Sequence, residues 1–313
     1  MDLYSIGEML IDFIPGNEKD SYIKKAGGAP TNVAIAASKN GLDAGMCCSV
    51  GDDDFGRFLL DTLREYNVKI IKSDLCQNAI TTMAFVSLDE SGDRSFTFAR
   101  KPGADMFIED QDVKEEDIKN AKIVHAGSFT LSGSPCHEST LKALKLAHDN
   151  QKIVSFDLNY RDIVWDGDSE ACKKAVHECL PYIDFMKISD EEECFLTDDK
   201  MELQEFFKAS NLSLLVKTLG ADGAECYYQD QIIKVPGKKV KAVDTTGAGD
   251  AFWGGFLSYL LFNNVEEISD LHATLIKKAL EYANVSGSLC VMKKGAIVAI
   301  PTRSEIEAEL ERD

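Results

Sequence analysis

Short runs of β-branched and apolar residues alternate with longer stretches of helical periodicity, and this rhythm restricts the fold more than any other feature of the chain. The runs are Leu3 to Ile6, Gly45 to Val50, Ile123 to Ala126, Ile153 to Asp157, Phe185 to Ile188 and Leu214 to Thr218. Between them, Thr31 to Lys39, Phe55 to Tyr66, Ser139 to Asn150, Glu170 to Leu180 and Ala251 to Leu261 carry apolar stripes at helical spacing. Strand and helix in alternation predict an α/β fold with a mainly parallel central sheet flanked by helices.

Two stretches break the rhythm. Asp12 to Ala26 and Thr81 to Arg100 alternate apolar with polar residues, as in Met83-Ala84-Phe85-Val86-Ser87 and Arg94-Ser95-Phe96-Thr97-Phe98. That pattern suits half-exposed antiparallel strands, with Asp89 to Asp93 as the turn of a hairpin. They predict a small sheet standing off the main body. No Pro-rich or Gly/Ser-rich linker divides the chain and no repeat is evident, so residues 1–313 are expected to form one domain with lid strands embedded at about 12–26 and 81–100.

Charge narrows the partners. The formal net charge is −19, with a sequence pI near 4.7. A field of that sign repels nucleic-acid backbones and anionic lipid surfaces, so neither is an expected partner. An anionic ligand needs a local reversal of the field by backbone N–H groups, a metal ion or a few basic side chains. The nine cysteines contain no C-x-x-C pair and are odd in number, which suits reduced thiols and argues against zinc. The N-terminal segment, Met1 to Pro15, carries Asp2, Glu8 and Asp12 with no basic region ahead of an apolar run. No apolar stretch reaches about 18 residues. The expected location is the cytoplasm.

The strongest local signal is Asp244-Thr245-Thr246-Gly247-Ala248-Gly249-Asp250-Ala251-Phe252, ahead of the apolar run Trp253 to Phe262. Small residues at a helix entrance permit close backbone approach, and the free N–H groups with the positive end of the helix dipole attract phosphate. A carboxylate in an anion hole is useful where a hydroxyl must lose its proton while attacking phosphorus, which makes Asp250 a candidate general base. Asp250 as a simple helix cap is the competing reading of this segment taken alone. Phe252 stands where a dinucleotide motif has its third glycine, and no G-x-x-x-x-G-K-[ST] occurs.

The second signal is Gly27-Gly28-Ala29-Pro30-Thr31-Asn32-Val33-Ala34, in which two glycines precede a helix start that carries Asn32. A polyol fits against such glycines, and Asp12 adds a two-oxygen acceptor for sugar hydroxyls. By itself this segment is equally a structural turn and a capped helix.

Together, Gly27 to Ala34 and Asp244 to Phe252 resemble, in order and separation, the two signature segments of the PfkB carbohydrate kinases, the ribokinase-like family. The resemblance extends from Ile6 to Arg303. Gly7-Glu8-Met9-Leu10-Ile11-Asp12-Phe13, Arg94 to Arg100 and Lys187-Ile188-Ser189-Asp190-Glu191-Glu192 are most similar to bacterial fructokinases. The resemblance implies a three-layer ribokinase-like fold with a β-sheet lid, and phosphoryl transfer from ATP to D-fructose. It implies that Asp250 takes the hydroxyl proton while Gly247, Ala248 and Gly249 offer amides to the γ-phosphate. Asp12, Gly27, Gly28, Asn32, Phe98 and Arg100 would hold the sugar, and Arg161 would lie where sugar and phosphate meet.

By the same resemblance Lys187, Ser189, Thr218, Gly220, Gly223, Gly247, Gly249 and Asn284 belong to the nucleotide side. The family's Asn-x-x-Glu motif falls on Ser189 to Glu192, with serine in place of asparagine, and Glu192 would order the water shell of Mg²⁺. Asp244 and the backbone oxygens of Thr246, Cys290, Lys293 and Gly295 would form a K⁺ site. Phe96 and Phe98 share a strand face that either walls the sugar pocket or packs against the lid of a second subunit, and a homodimer is expected. Ribose, 2-keto-3-deoxygluconate or a nucleoside as substrate, and a noncatalytic sugar-binding relative, are the competing readings.

Overall fold

The computed structural model describes residues 1–16, 18, 20–88, 94–197 and 201–312, with the side chains of 88 and 94–96 outside that description. Nine strands form one sheet. In chain order they are β1 (Leu3–Ile6), β4 (Ala44–Cys47), β5 (Lys69–Ile70), β8 (Ile123–Gly127), β9 (Ile153–Asp157), β10 (Phe185–Ser189), β11 (Leu214–Thr218), β12 (Gly223–Tyr228) and β13 (Gln231–Pro236). Their spatial order is β13-β12-β11-β10-β9-β8-β1-β4-β5. From β11 to β5 every pairing is parallel, and only β12 and β13 run antiparallel. The six apolar runs read from the sequence correspond to six of the seven parallel strands, and the two-residue β5 was not among them. Those runs are apolar at consecutive positions because helices cover both faces.

Alternate residues feed the two layers. On β1, Tyr4 and Ile6 join a core with Val124, Phe156 and Met186, covered by α3 (Cys136–Asp149) and α4 (Ser169–Cys179). Leu3 faces the other way and joins Ile123, Ile153, Phe185 and Leu214 under α1 (Ala29–Lys39), α5 (Ala248–Phe262) and α6 (Ala273–Val291). Helix α5 is apolar nearly all round because it lies between the sheet, α1 and α6. A Cβ at Gly254 would run into the Cβ of Ala36, so α5 and α1 touch almost backbone to backbone. The helix α2 (Asp54–Glu65) completes a third cluster with Met9, Ile11, Cys290 and Ile297.

The chain winds from β1 toward β5 on one side and from β8 toward β13 on the other. A switch of that kind opens a crevice beyond the carboxyl ends of the strands, where an open α/β sheet binds its ligands. Asp157, Ser189 and Thr218 end β9, β10 and β11 there.

The second sheet has the order β3-β2-β6-β7, from β2 (Leu10–Pro15), β3 (Tyr22–Gly27), β6 (Met83–Leu88) and β7 (Arg94–Ala99). One expectation is corrected here. These strands are not all antiparallel: β2 and β6 pair in parallel, because both leave the body from the same side and run outward together. Asp12 lies within β2, in register with Ala84. The antiparallel edge β12–β13 was not anticipated. The hairpin turn Asp89 to Asp93 and the Phe96 side chain lie outside the described residues.

The roots of the lid are buried: Met9, Ile11 and Thr81 are inaccessible to solvent. The Ile11 amide donates to the Thr82 carbonyl at 3.0 Å, and the Thr81 amide donates to Asp53 at 2.8 Å. Farther out, Phe13 stacks on Phe85 with ring centroids 4.9 Å apart, and Tyr22 and Ile23 are exposed. Among the described residues no helix is long and apolar enough to cross a membrane.

Candidate active site

Two helix starts meet at the sheet's crevice. Gly28, at φ 117°, delivers the chain into α1, and a Cβ there would strike the carbonyl oxygen of Glu8, so glycine is required on both counts. Gly247, at φ 75°, is the left-handed residue that turns the chain into α5. The close contact of α1 with α5 then brings Asn32 to Asp250 across 218 residues of sequence: Asn32 Nδ2 donates to Asp250 Oδ2 at 2.7 Å.

Asp250 is buried, 7% exposed. Burial is the largest influence raising its pKa; the nearby Asp157 carboxylate adds to it, while the Asn32 hydrogen bond, Lys187 and Arg161 pull the other way. Asn159 Nδ2 reaches the second oxygen, Oδ1, at 3.3 Å. Asn159 adopts φ 43° just beyond β9, a conformation Asn tolerates better than most residues. A carboxylate whose proton affinity rises toward the working pH is a better base than a free one.

A cavity of about 460 Å³ opens beside Asp250, and its wall includes Asp12, Gly28, Asn32, Phe98 and Arg161 together with Thr246 and Gly247. Eight positions expected from the sequence therefore share one space. The wall also includes Glu8, Phe129, Asn159 and Asp162, which the sequence reading did not select. Asp12 is pushed up to about 6 by burial, against the pull of Arg161 and with support from the negative charges of Asp250 and Asp244. Arg161 is exposed at the rim and donates from Nη1 to the carbonyl of Tyr160 at 2.8 Å.

Two expected sugar ligands sit elsewhere. Gly27 is not part of the cavity wall; a Cβ on it would collide with the Asp12 carboxylate, so it makes room for that side chain. Arg100 also lies outside the wall. Its Nε donates to Asp105 at 2.8 Å and its Nη1 to Ser132 at 2.9 Å, and the guanidinium lies 4.6 Å from the centre of the Phe129 ring. In this state it braces the ring that walls the cavity.

Among the positions expected on the nucleotide side, Lys187 of β10 is buried and donates to both oxygens of Asp157 at 2.8 and 2.9 Å. Its pKa is raised: burial, the largest influence, lowers it, but the opposing pull of Asp157, Glu192 and Asp250 prevails. Its ammonium borders the start of α5, because a Cβ at Gly249 would lie 3.5 Å from Nζ. The amides of Gly249 and Asp250 fall in the first helical turn, beyond the reach of any carbonyl of the helix. The Ala248 amide does not serve with them, since it donates to the Thr245 carbonyl at 3.2 Å. The tight turn before α5 uses that donor.

Glu192 is a buried brace. Its Oε1 accepts from the Tyr160 amide at 2.6 Å and its Oε2 from the Ser189 amide at 2.8 Å, and burial raises its pKa. Each oxygen has acceptor capacity beyond these bonds, which fits an outer-shell role beside Mg²⁺. Ser189 is in register with Thr218, and Gly220 and Gly223, both at positive φ, turn the chain from β11 into β12. Asn284 donates to the carbonyls of Val235 at 3.4 Å and Pro236 at 3.1 Å, tying α6 to the sheet edge.

The loop before α5 is closed by Asp244. Its Oδ1 accepts from the Thr246 amide at 3.0 Å, and its Oδ2 accepts from the Gly295 amide at 2.9 Å. The Lys293 amide donates to the Cys290 carbonyl at 3.2 Å. Among the described residues no cluster of three or more His, Cys, Asp and Glu could hold a metal ion, so a cation here would rest largely on carbonyl oxygens.

Comparison with known proteins gives this geometry a family. The profile of the pfkB family carbohydrate kinases matches residues 2–303. Probable fructokinase-5 of Arabidopsis thaliana is 38% identical over 97% of this chain and 96% of its own length. The structure of Xylella fastidiosa fructokinase with bound ATP superposes with a TM-score of 0.89 at 29% identity, over 99% of this chain and 98% of the other. Fructokinase of Vibrio cholerae O395, solved with fructose, ADP and a calcium ion, gives 0.88 at 34% identity over 98% of both chains. A double mutant of that enzyme holds fructose, ADP and a potassium ion, with a TM-score of 0.88 at 33% identity over 98% of this chain and 97% of that one. With both signature segments folded against one cavity and the family match running almost from end to end, the chain belongs to the pfkB family of carbohydrate kinases.

Proposed function

We propose that this kinase transfers the γ-phosphoryl group of ATP to the terminal hydroxyl of D-fructose, giving fructose 6-phosphate, with Asp250 as general base. One observation carries the reading: the Asp250 carboxylate lines a sugar-sized cavity from the first turn of a helix whose start borders the Lys187 ammonium. The sugar hydroxyl would give its proton to Asp250 as its oxygen bonds to the γ-phosphorus, and the bond from that phosphorus to the bridging oxygen would break, leaving ADP with the electron pair. The amides of Gly247, Gly249 and Asp250, with Lys187 and Arg161, favour the charge on the moving phosphoryl group. Mg²⁺ bound with ATP supplies further charge neutralisation, with Glu192 ordering its water.

Charge favours a neutral sugar over a sugar acid. Asp12, Asp162 and Asp250 share the cavity wall with Arg161, the one guanidinium among its described lining residues, so a carboxylate substrate such as 2-keto-3-deoxygluconate would meet repulsion. The fructose carried by the Vibrio relatives supports the choice of sugar, and their potassium form supports K⁺ at the Asp244 loop. The reading includes one continuous kinase domain with an embedded lid, and a homodimer through the outer part of the lid, where Tyr22 and Ile23 are exposed.

A coupled assay with MgATP over fructose, ribose, 2-keto-3-deoxygluconate and nucleosides tests the substrate, with K⁺ and Na⁺ compared in the same assay. Fructose is expected to give the highest kcat/KM, with K⁺ faster than Na⁺. ATP consumption that depends on none of these compounds would overturn the catalytic reading, and preference for another sugar would overturn the fructose reading.

A further inference from the structure

Glu8 lies between β1 and β2, 2% exposed, and its position is fixed from two sides. Oε1 accepts from the Ala29 amide at 2.8 Å, and its backbone carbonyl accepts from Thr31 Oγ1 at 3.0 Å, so the start of α1 grips the residue. The other oxygen, Oε2, is buried and meets no hydrogen-bond partner, and Asn32 Oδ1 is in the same condition. Both residues belong to the wall of the cavity beside Asp250. Buried polar atoms are ordinarily paired. Two orphans on one small cavity mark the places where a ligand's polar groups complete the pairing.

We infer that Glu8 is a further sugar-binding and specificity-determining residue, in which Oε2 carries a proton and donates it in a hydrogen bond to a sugar hydroxyl oxygen while Asn32 Oδ1 accepts from a neighbouring hydroxyl. This rests on the cavity being the sugar site. The charged groups around Glu8 favour the neutral form. Asp250 approaches from α5 and Asp105 from the turn Ala104–Phe107, and Arg100 is already committed to Asp105. Asp12 and Arg161 complete the cavity's charges. Burial, the largest influence, with Asp105 and Asp250 in support, pushes Glu8 up to about 8 against the pull of two backbone hydrogen bonds. One fixed donor beside one fixed acceptor complements two adjacent hydroxyls, and a deoxy analogue would leave one of them unpaired.

The test is the KM for D-fructose from about pH 6 to 9, at saturating MgATP, for the wild type, Glu8→Gln and Glu8→Leu. Glutamine keeps an acceptor for the Ala29 amide and a neutral donor for the sugar; leucine keeps neither. The expected result is that Glu8→Leu raises the fructose KM about tenfold with little change in the KM for ATP, the loss of one buried hydrogen bond. Glu8→Gln should stay within about threefold of wild type at pH 7 and lose the rise in KM that the wild type shows above about pH 8. Equal sugar KM in all three proteins overturns the inference, as does a Glu8→Gln profile that rises through pH 8 like the wild type; the glutamine profile alone decides if the leucine variant does not fold. A wild type that phosphorylates another sugar but not fructose overturns the substrate reading instead, and the same KM comparison is then made with that sugar.

Discussion

As the proposed base, Asp250 depends on neighbours that hold it still and dry. Asn32 and Asn159 each present an amide to one carboxylate oxygen, while burial raises its proton affinity. Replacing it by Asn keeps size and hydrogen bonding but removes the proton acceptor. Asp250→Asn is therefore expected to lower kcat by roughly 10²- to 10⁴-fold with little change in either KM; steady-state kinetics check this, and a near-native kcat would remove Asp250 from the mechanism. Asp250, Asn32 and Gly28 were legible because the chemistry of a helix start is written in consecutive residues. Glu8, Asn159 and the Asp157–Lys187 pair were not, or only in part. Their roles come from partners that the fold supplies, as when Glu8 meets Ala29 and Asn159 meets Asp250. Arg100 shows the converse: its motif suggested a sugar ligand, and its nearest carboxylate, Asp105, claims it.

The two helix starts use glycine for different reasons, and substitution separates them. Gly28 has both a positive φ and the Glu8 carbonyl in the space a Cβ would need. Gly28→Ala should cost roughly 1–3 kcal/mol of folding stability through backbone strain and raise the sugar KM by displacing Asn32. Gly249 has a helical conformation and 3.5 Å of clearance from Lys187 to a Cβ, so Gly249→Ala should fold normally and raise the KM for ATP. Urea denaturation with the two KM values distinguishes the pair, and an unaltered Gly28→Ala would refute the strain argument. At this scale the sequence revealed six of the parallel strands, since a strand covered on both faces is a continuous apolar run, and missed the two-residue edge strand β5. It hid β12 and β13, an edge pair with the exposed Lys234 bound to Glu225 across the strands and a turn at Gln229, φ 50°, that lacks an Asn-Gly signal. Helix α6 was hidden as well, because it meets α5 through small residues: a Cβ on Gly255 would press on Ser286.

For the whole molecule, buried acids in the sugar cavity should leave a mark on stability. Glu8 moves from an ordinary value of 4.5 to about 8 on folding, so the folded state holds this proton more tightly than the unfolded chain. That advantage is complete below the unfolded value and is lost as pH rises through the folded one. Asp12, raised to about 6, acts the same way at lower pH. Buried His125, lowered from 6.5 to about 4, opposes both below its ordinary value. Between about pH 6.5 and 8 Glu8 acts with little opposition, and stability should fall by roughly 2 kcal/mol. Urea midpoints at the two ends of that window check this; Glu8→Gln should flatten the loss, and a wild type with equal stability at both would contradict it. A mainly parallel α/β body and a small separate sheet were foreseen from alternation, but how that sheet joins the body was not. Met9, Ile11 and Thr81 are core residues, and Asp53 clamps Thr81. A hinge at that junction would have to tear the interior open, so bending is confined to the outboard parts of β2, β3, β6 and β7. Asp12, carried on β2, is thus expected to keep its station on the cavity wall whether or not a substrate is present, so that a sugar would be selected by a rigid jaw while the far tip shuts out water.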